Sequence, residues 1–542
     1  MLAGDLIAYT LVATKLIMIA VCFVFLISGL DDLFIDICYI ARATHRRLFI
    51  LPRTRRLTEQ DLLDCPEKPI AVLVPAWDES AVIRPMLINM ARTLNYRNVH
   101  IFVGTYPNDA ATGDEVERVR ADYAHVHKIV TGHDGPTNKA DCLNWIYQGI
   151  RTFERQAGIR FEIFVMQDCE DVVHPLCYKL FNFLIPRFDM VQLPVHSLPR
   201  KWHEFTGSHY KDEFAQLHHK DLVVREVLGR SIPAAGVGCA FSRRAFETVA
   251  ESRGNEVFSI DSLTEDYDLG FRLKEHGLRQ AFVRFSVPRI VTRRSIWTGR
   301  PRQVTIEELV CIREYFPARF YASVKQKSRW VVGIALQGWE HLGWRGDLRT
   351  KYMLFRDRKA LVTNLVTLLG YLVVAVVAAV WLTIWIDPAA YRYPPLLERG
   401  SLLWYVVIAN AALLAWRLAF RAYCVRRVYG WQQALLSLPR TVWSNIINFG
   451  ATCRAIRLYA NYLRTGKLIA WDKTAHVYPD GIEMEGGRRK LGDRLLEQRI
   501  ITLAQLDEAL ARQTRDRRLL GSILVDMGAV GETQLQEVLK AA

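Results

Sequence analysis

Apolar positions along this chain come in three patterns, and each predicts a different kind of element. The first is the long unbroken run. Residues 6–30 are nearly all apolar, with Lys15 the one charge among them. A helix of that length spans a bilayer with some tilt. Residues 360–386 and 401–420 repeat the pattern, separated by a proline-containing loop at 387–400. The second pattern is the short apolar run that stops abruptly in polar sequence: 70–74 (IAVLV), 99–104 (VHIFVG) and 161–166 (FEIFVM). Runs of this length read as buried strands. They alternate with helical periodicity, from about Ala81 and again through Leu143, Asn144 and Ile146, over some 300 residues between the first two long runs. That alternation predicts one α/β domain. The third pattern is amphipathic: 202–226, 431–463, and the chain from 487 onward.

Charge gives the long runs a direction. Arg42, Arg46, Arg47, Arg53, Arg55 and Arg56 follow the first run, where a cleaved secretion signal would carry its charge in front. Arg356, Arg358 and Lys359 precede the second, and Arg421, Arg426 and Arg427 follow the third. Positive-inside then predicts three membrane spans, with the N-terminus outside and the α/β domain and C-terminus cytosolic. Lys15 is expected to face protein or to snorkel. Segment 431–463 carries Pro439 and Arg440 and has basic residues at both ends, so it reads as one or two helices lying in the interface. Segment 202–226 holds His203, His209, His218 and His219 at no zinc-site spacing, and its Lys211, Asp212, Glu213 and Lys220 read as a solvated helix. The expected units are 1–40 (first membrane helix), 41–350 (cytosolic domain with interface helices), 360–420 (two membrane helices), 421–480 (interfacial helices) and 487–542.

Composition narrows the partners. The formal charge of +15 fits either nucleic acid or membrane. No zinc finger or basic–aromatic ladder is present, and arginine gathers beside the apolar runs, so the bilayer is the expected partner and nucleic acid is not. Ten cysteines occur without a C-x-x-C pair, which indicates neither a disulfide framework nor a zinc site.

Candidate chemistry sits where the short runs end. The third run breaks into Asp168, Glu170 and Asp171, three carboxylates in four residues, before His174-Pro175 turns the chain. Open α/β sheets bind ligands at the carboxyl ends of their strands. Carboxylates crowded there call for a cation, and oxygen ligands suit Mg²⁺ or Mn²⁺. The second run ends at Tyr106-Pro107-Asn108-Asp109, and Thr137-Asn138-Lys139 opens a helix whose lysine suits a diphosphate.

Taken in order, PAWDE (from Pro75), N-K-A-x-x-L-N (from Asn138) and the Asp168–Glu170 pair resemble the sugar-nucleotide half of a family-2 glycosyltransferase with a GT-A fold. Gly236–Phe241 (GVGCAF) resembles that family's glycine-rich loop under the acceptor, and Leu263–Asp266 its T-E-D segment. Gln326, Arg329 and Trp330 match the Q-x-x-R-W of membrane-embedded processive members. RDRK (356–359) and WDKTAH (471–476) resemble the family's phage adsorption protein B branch, which makes a surface polysaccharide. Asp168-Cys169-Glu170 stands where the family has Asp-x-Asp, and Y-P-N-D replaces its usual D-D-G-S-x-D. The resemblance implies an α/β GT-A domain embedded between transmembrane helices. Donor binding would fall to Pro75, Asp78, Glu79, Asp109, Lys139 and Asp168, and Mg²⁺ or Mn²⁺ to Asp168 and Glu170. The acceptor and diphosphate would meet Gly238, Gln326, Arg329 and Trp330. Asp266 would be the general base, flanked by Thr264 and Glu265. A single displacement from a UDP-sugar would invert the anomeric carbon and extend a polysaccharide, passed to an outer-membrane export or receptor protein.

The C-terminal stretch contains an internal repeat at an offset of 29, residues 491–511 against 520–540, with seven of 21 positions identical. It predicts two helical hairpins, each too small to bury its own apolar face. It resembles the MshEN module that binds cyclic di-GMP, which implies Arg489, Leu491, Gly492, Gln513, Arg518, Leu520 and Gly521 as contacts and cyclic di-GMP as an activator. Two other readings compete: a catalytically inactive membrane receptor or scaffold, and a non-processive transferase acting on a lipid carrier. Intact Asp168 and Asp266 weigh against the first, and Q-x-x-R-W against the second.

Overall fold

The computed structural model describes the chain apart from residues 1, 295–300, 390, 392, 468, 470–472, 480–490, 493–494, 496–499, 517 and 541–542. It separates into two units, Met1–Val287 with Leu309–Tyr478, and Pro288–Glu308 with Pro479–Ala542. The stretch expected as one cytosolic domain over 41–350 is thus interrupted at 288–308.

In the first unit the strands are β1 (Ile70–Pro75), β2 (Val99–Thr105), β3 (Val126–Val130), β4 (Ile163–Met166), β5 (Val172–Val173), β6 (Met190–Gln192), β7 (Val195–Ser197), β8 (Cys239–Ser242) and β9 (Gln280–Phe282). The hairpin strands β10 (Ser286–Arg294) and β11 (Pro301–Leu309) follow, then β12 (Ile312–Glu314). The main sheet runs β3-β2-β1-β4-β8-β6-β9, and β5-β12-β7 form a small second sheet. β3, β2, β1 and β4 are mutually parallel, while β8 runs antiparallel to both β4 and β6. All of β1 is buried, which is why its sequence reads as a continuous apolar run. Its side chains alternate between two cores. Ile70, Val72 and Val74 enter one, packed by Ile83, Met86 and Met90 of the helix Ile83–Thr93. Ala71 and Leu73 enter the other, packed by Leu143, Ile146 and Ile150 of the helix Lys139–Ala157. Each such side chain contributes about 1.5–3 kcal/mol by leaving water.

Three helices are long and apolar enough to cross a membrane: Leu2–His45, Leu348–Ile386 and Leu402–Tyr429. Charges tie the first two together at one level, where Asp31 meets Arg356 and Lys359, and Lys359 Nζ donates to Asp32 at 2.7 Å. Lys15 Nζ lies 3.5 Å from Glu398, with both side chains largely exposed. Segment 431–463 is a single helix, Trp431–Thr465, that runs through Pro439. Proline removes a backbone donor from the helix interior. The carbonyl left without that donor is that of Leu435; those of Gln433 and Ala434, just before it, accept from the side chains of Arg440 (2.9 Å) and Ser437 (2.6 Å). Arg440 is not a basic flank as its position suggests: it is fully buried and makes a two-pronged pair with Asp212 at 2.7 and 2.8 Å.

That pair overturns the expectation of a solvated helix at 202–226. His209, Lys211, Asp212, His218 and Lys220 are all buried. Lys220 Nζ lies 2.5 Å from Asp36 of the first long helix, and Lys327 Nζ lies 2.6 Å from Glu213. Burying charge is tolerated only when partners supply the lost hydration. Here the partners come from helices far away in the chain.

The second unit contains the β10–β11 hairpin and the C-terminal helices Leu503–Asp516, Leu520–Asp526 and Glu532–Lys540. The two repeat copies share one core, with Leu495, Leu506 and Ala509 of the first against Leu524, Leu535 and Val538 of the second. Their Leu–Gly pairs interlock: a Cβ on Gly492 would meet Leu506 and Leu520, and one on Gly521 would meet Leu535 and Leu491. At the offset of 29 these are the same contacts exchanged.

Candidate active site

Strand register builds the site. Leu73 stands opposite Met166, and Met166 opposite Cys239. The segments leaving β1 and β4 and the loop entering β8 therefore share one edge of the sheet. Lys139, capped into its helix by Asn138, reaches this edge from the side. Its Nζ lies 2.6 Å from Asp168 Oδ1 and 3.9 Å from Glu265 Oε1. Gly236 has φ +74°, and a Cβ there would fall 2.9 Å from Asp266 Oδ2 and 3.1 Å from Lys139 Nζ. A side chain at 236 would thus push apart Asp266 and Lys139. Asp168, Glu265, Asp266 and Lys139, expected from three separate motifs, meet in one place.

A second group lies on the other side of Asp168. His476 Nδ1 is 2.8 Å from Glu79 Oε1, and its Nε2 is 3.2 Å from Glu170 Oε1. Lys473 Nζ is 3.2 Å from Glu79 Oε1, and donates to the carbonyl of Asp78. Asp78 and Glu79 are themselves held from below. Asp109 Oδ2 accepts from the Asp78 amide at 2.6 Å, and Thr112 Oγ1 from the Glu79 amide at 2.9 Å. Asp109 also caps the helix Ala110–Asp122, so its carboxylate positions the loop after β1. The Pro75 carbonyl accepts from the Cys169 thiol at 3.3 Å, which ties the β1 loop to the acidic turn. His476, Lys473 and the buried Glu314 were not expected as site residues. WDKTAH had stood out by resemblance alone, and nothing local marks Glu314 as facing Glu170.

The electrostatics follow from burial. Burial raises Glu265 to about 8 and Asp266 to about 6, with Lys139 opposing both rises. Burial works against the charge on Lys139, but Asp168, Glu265 and Asp266 outweigh it and hold the ammonium well above its usual range. Burial likewise raises Glu170 to about 7, against the pull of His476. It pushes Asp171 and Glu314 well above the carboxylate range, reinforced by their neighbours. For His476 burial acts downward, and Glu170 and Glu79 overcome it to place the imidazole at about 9. Glu79, Asp168, Glu170, Asp171, Glu265, Asp266 and Glu314 thus face Lys139, Lys473 and His476, an excess of acid that a divalent cation fits. One oxygen of Asp171, a residue 1% exposed, has no hydrogen-bond partner at all.

The residues expected to meet the acceptor are placed by packing. Gly238 sits at the mouth of β8, where its carbonyl accepts from the Leu193 amide at 2.9 Å and from Gln192 Nε2 at 3.2 Å. Gln326, Arg329 and Trp330 lie on the helix Phe320–Trp330, with the Trp330 ring against Tyr210, Phe214 and Phe316. The chain continuing from this helix grips the loop before Asp266. Gln337 Oε1 accepts from the Leu263 amide, and its Nε2 donates to the Asp261 carbonyl, both at 3.0 Å. The Thr264 hydroxyl and the Gln326 carbonyl oxygen are buried without a hydrogen-bond partner. In the second unit Arg489 lies outside the described residues. Arg518 pairs with Asp526 at 2.5 Å, and Gln513 Nε2 donates to the Arg518 carbonyl at 2.9 Å. Leu491, Gly492, Leu520 and Gly521 form the seam between the copies.

Comparison with known proteins agrees with this construction. Residues 163–416 match the family described as glycosyl transferase family group 2. The bacteriophage adsorption protein B of Escherichia coli K12 is 41% identical over 539 residues, covering 99% of this chain and 71% of the relative. The bacteriophage N4 adsorption protein B of Escherichia coli O157:H7 matches equally. Among solved structures, the mannosyltransferase PcManGT from Pyrobaculum calidifontis, in complex with GDP-Man and Mn²⁺, has a TM-score of 0.45 at 14% identity, covering 80% of this chain and 99% of that one. Glucosyl-3-phosphoglycerate synthase from Mycobacterium tuberculosis, in complex with Mn²⁺ and UDP-glucose, has a TM-score of 0.26 at 15% identity, covering 43% and 74%. The sheet order, the site at its carboxyl edge and the three long apolar helices make up an α/β GT-A fold with membrane helices and a helical C-terminal region. The chain belongs to the bacteriophage adsorption protein B family and carries a family-2 glycosyltransferase domain.

Proposed function

We propose that this chain is an inner-membrane, inverting glycosyltransferase that extends a surface polysaccharide from a UDP-sugar, with its catalytic domain and C-terminus in the cytosol. The observation that carries the reading is the meeting of Lys139, Asp168 and Asp266 at one edge of the sheet. The acceptor hydroxyl attacks the anomeric carbon from the face opposite the diphosphate. Its proton passes to the carboxylate of Asp266, the C–O bond to the diphosphate breaks, and UDP leaves with the electron pair. A base near 6 is ionised at cytosolic pH and still able to take a proton. Lys139 meets the charge developing on the diphosphate. The carboxylates around Asp168 and Glu170 would hold a divalent cation, which when bound supplies further positive charge there. On the acceptor side, the buried Gln326 oxygen offers a partner to a sugar hydroxyl.

Two finer parts of the reading concern regulation and export. Cyclic di-GMP acts on the C-terminal repeat and switches the synthase on, with Arg489, Arg518 and Gln513 as the contacts. The product is handed to an outer-membrane export or receptor protein, and phage use that product, as the names of the Escherichia coli relatives suggest. The decisive test is incubation of the detergent-purified protein with a panel of labelled UDP-sugars, with Mn²⁺ and cyclic di-GMP. One donor should give UDP release together with growing product. No UDP release from any donor would overturn the reading.

A further inference from the structure

We infer that this chain binds the phosphate of an anionic membrane phospholipid where the second long helix enters the membrane, at Arg358 between Trp339 and Trp344. The four charges of RDRK (356–359) stand directly before the apolar run at 360–386. Three of them are spent inside the protein. Arg356 pairs with Asp31, and Lys359 with both Asp31 and Asp32. Asp357 accepts from Arg225 at 2.7 and 2.8 Å and from the Tyr267 hydroxyl at 2.6 Å. Arg358 is the exception, and among the described residues it forms no ion pair with a carboxylate. Its Nη2 donates to the Gly338 carbonyl at 3.1 Å, while Nε and Nη1 have no partner. The residue is only 4% exposed. A buried cation in this state is costly, and an anion beside it removes the cost.

The surroundings of Arg358 select the anion. Its guanidinium carbon lies 5.0 Å from the centre of the Trp339 ring and 4.5 Å from that of Trp344. The two rings meet edge to face at 5.5 Å, and both remain exposed, at 46% and 42%. Exposed indoles beside a basic cluster at the end of an apolar helix fit the headgroup layer, where one end of the ring is apolar and the other wet. At a rise of about 1.5 Å per residue, Arg358 stands about 3 Å outside the apolar run, beside the phosphates that border the hydrocarbon. Trp344 belongs to the short connection between the helices Gly338–Leu342 and Leu348–Ile386. By turning aside it admits a phosphate oxygen to Nη1 while Gly338 keeps Nη2. The neighbouring Arg345, Arg349 and Lys351 are exposed, and their charge favours a headgroup of net negative charge over one carrying its own cation. The assignment rests on the membrane helices and not on sugar transfer.

The test is native mass spectrometry of the full-length protein in detergent, with equimolar phosphatidylglycerol and phosphatidylcholine as the probes and no sugar donor. The unaltered chain should retain one phosphatidylglycerol at collision energies that strip phosphatidylcholine. This first measurement needs no variant, and equal retention of the two lipids would overturn the inference. Arg358→Gln removes the charge but keeps an amide that can donate to the Gly338 carbonyl. It should lower retention of phosphatidylglycerol at least about tenfold, and Arg358→Lys, which restores the charge, should recover most of it. Arg349→Gln and Lys351→Gln, on the same helix but exposed to screening salt, should stay within about twofold of the unaltered chain. An equal loss in those two variants would mean general attraction to negative charge and no site at Arg358. An excess of inorganic phosphate should leave the lipid bound, and its displacement would mean a site for a soluble anion instead. Because the readout contains no sugar donor, a chain that binds the lipid but transfers nothing would count against the proposed function and leave this assignment standing.

Discussion

The two sides of the active site are built in opposite ways. On one side Lys139, Asp168, Glu265 and Asp266 each sit at the start of a helix or the end of a strand, inside a short motif that announces its chemistry. On the other side Glu79 and Glu170 are completed by His476 and Lys473, which arrive some 300–400 residues later. On the proposed function the first side would handle a proton and a leaving group, and its groups must be placed to within a hydrogen bond. The second neutralises accumulated negative charge, which any cation brought from anywhere in the fold can do. Chemistry that depends on exact geometry stays local in the sequence. Charge compensation does not have to.

Substitutions should separate the two sides by which kinetic quantity they move. Asp266→Asn removes the base and should lower transfer at least about 10²-fold at saturating donor, with donor binding nearly intact. Titrating donor by fluorescence or calorimetry alongside turnover checks this, and wild-type turnover would mean that the base lies elsewhere. Glu79→Gln should instead raise the Mn²⁺ concentration needed for half-maximal transfer by about 10–100-fold, with turnover recovered at saturating Mn²⁺. A fall in turnover that metal cannot rescue would merge the two sides into one. A pH profile is the next lever. Asp266 must be ionised to accept a proton and is raised to about 6, so transfer should fall as pH drops through about 6 and be about tenfold lower at pH 5 than on the plateau. A flat profile from pH 5 to 7 would exclude a base with that value. The smallest effect has the opposite sign to the Glu79 change. Lys473 competes for the buried Glu79 carboxylate at 3.2 Å, so Lys473→Ala should lower the Mn²⁺ requirement, by about fivefold. A raised requirement would show that Lys473 serves mainly to hold its own segment in place.

What could be read from the sequence divides along the same line. The strands β1, β2 and β4 are legible because a fully buried parallel strand must be apolar throughout, and their polar ends follow at once. The membrane helices are legible because the bilayer fixes a length. The repeat at an offset of 29 foretells the shared C-terminal core, although not that its glycines would be the seam. The helix Phe205–Gln216 was misread because a charged, amphipathic pattern is the same whether its charges meet water or a partner. Asp212, Glu213 and Lys220 meet Arg440, Lys327 and Asp36, none of them nearby in sequence. Pro439 suggested a break, yet the helix Trp431–Thr465 runs through it.

A ribosome makes Asp212 long before it makes Arg440. At about 5–20 residues per second, the 228 residues between them take roughly ten to fifty seconds to synthesise. Through that interval the helix Phe205–Gln216 holds a carboxylate that has a buried place but no guanidinium to meet it there. Both later apolar helices must also be made first, because they lie between the two residues. The catalytic domain therefore cannot settle as soon as its own sequence is complete. Its maturation is clocked by the arrival of the helix Trp431–Thr465, and a chain halted before Arg440 would leave the bilayer holding a half-docked domain with one acid it cannot bury.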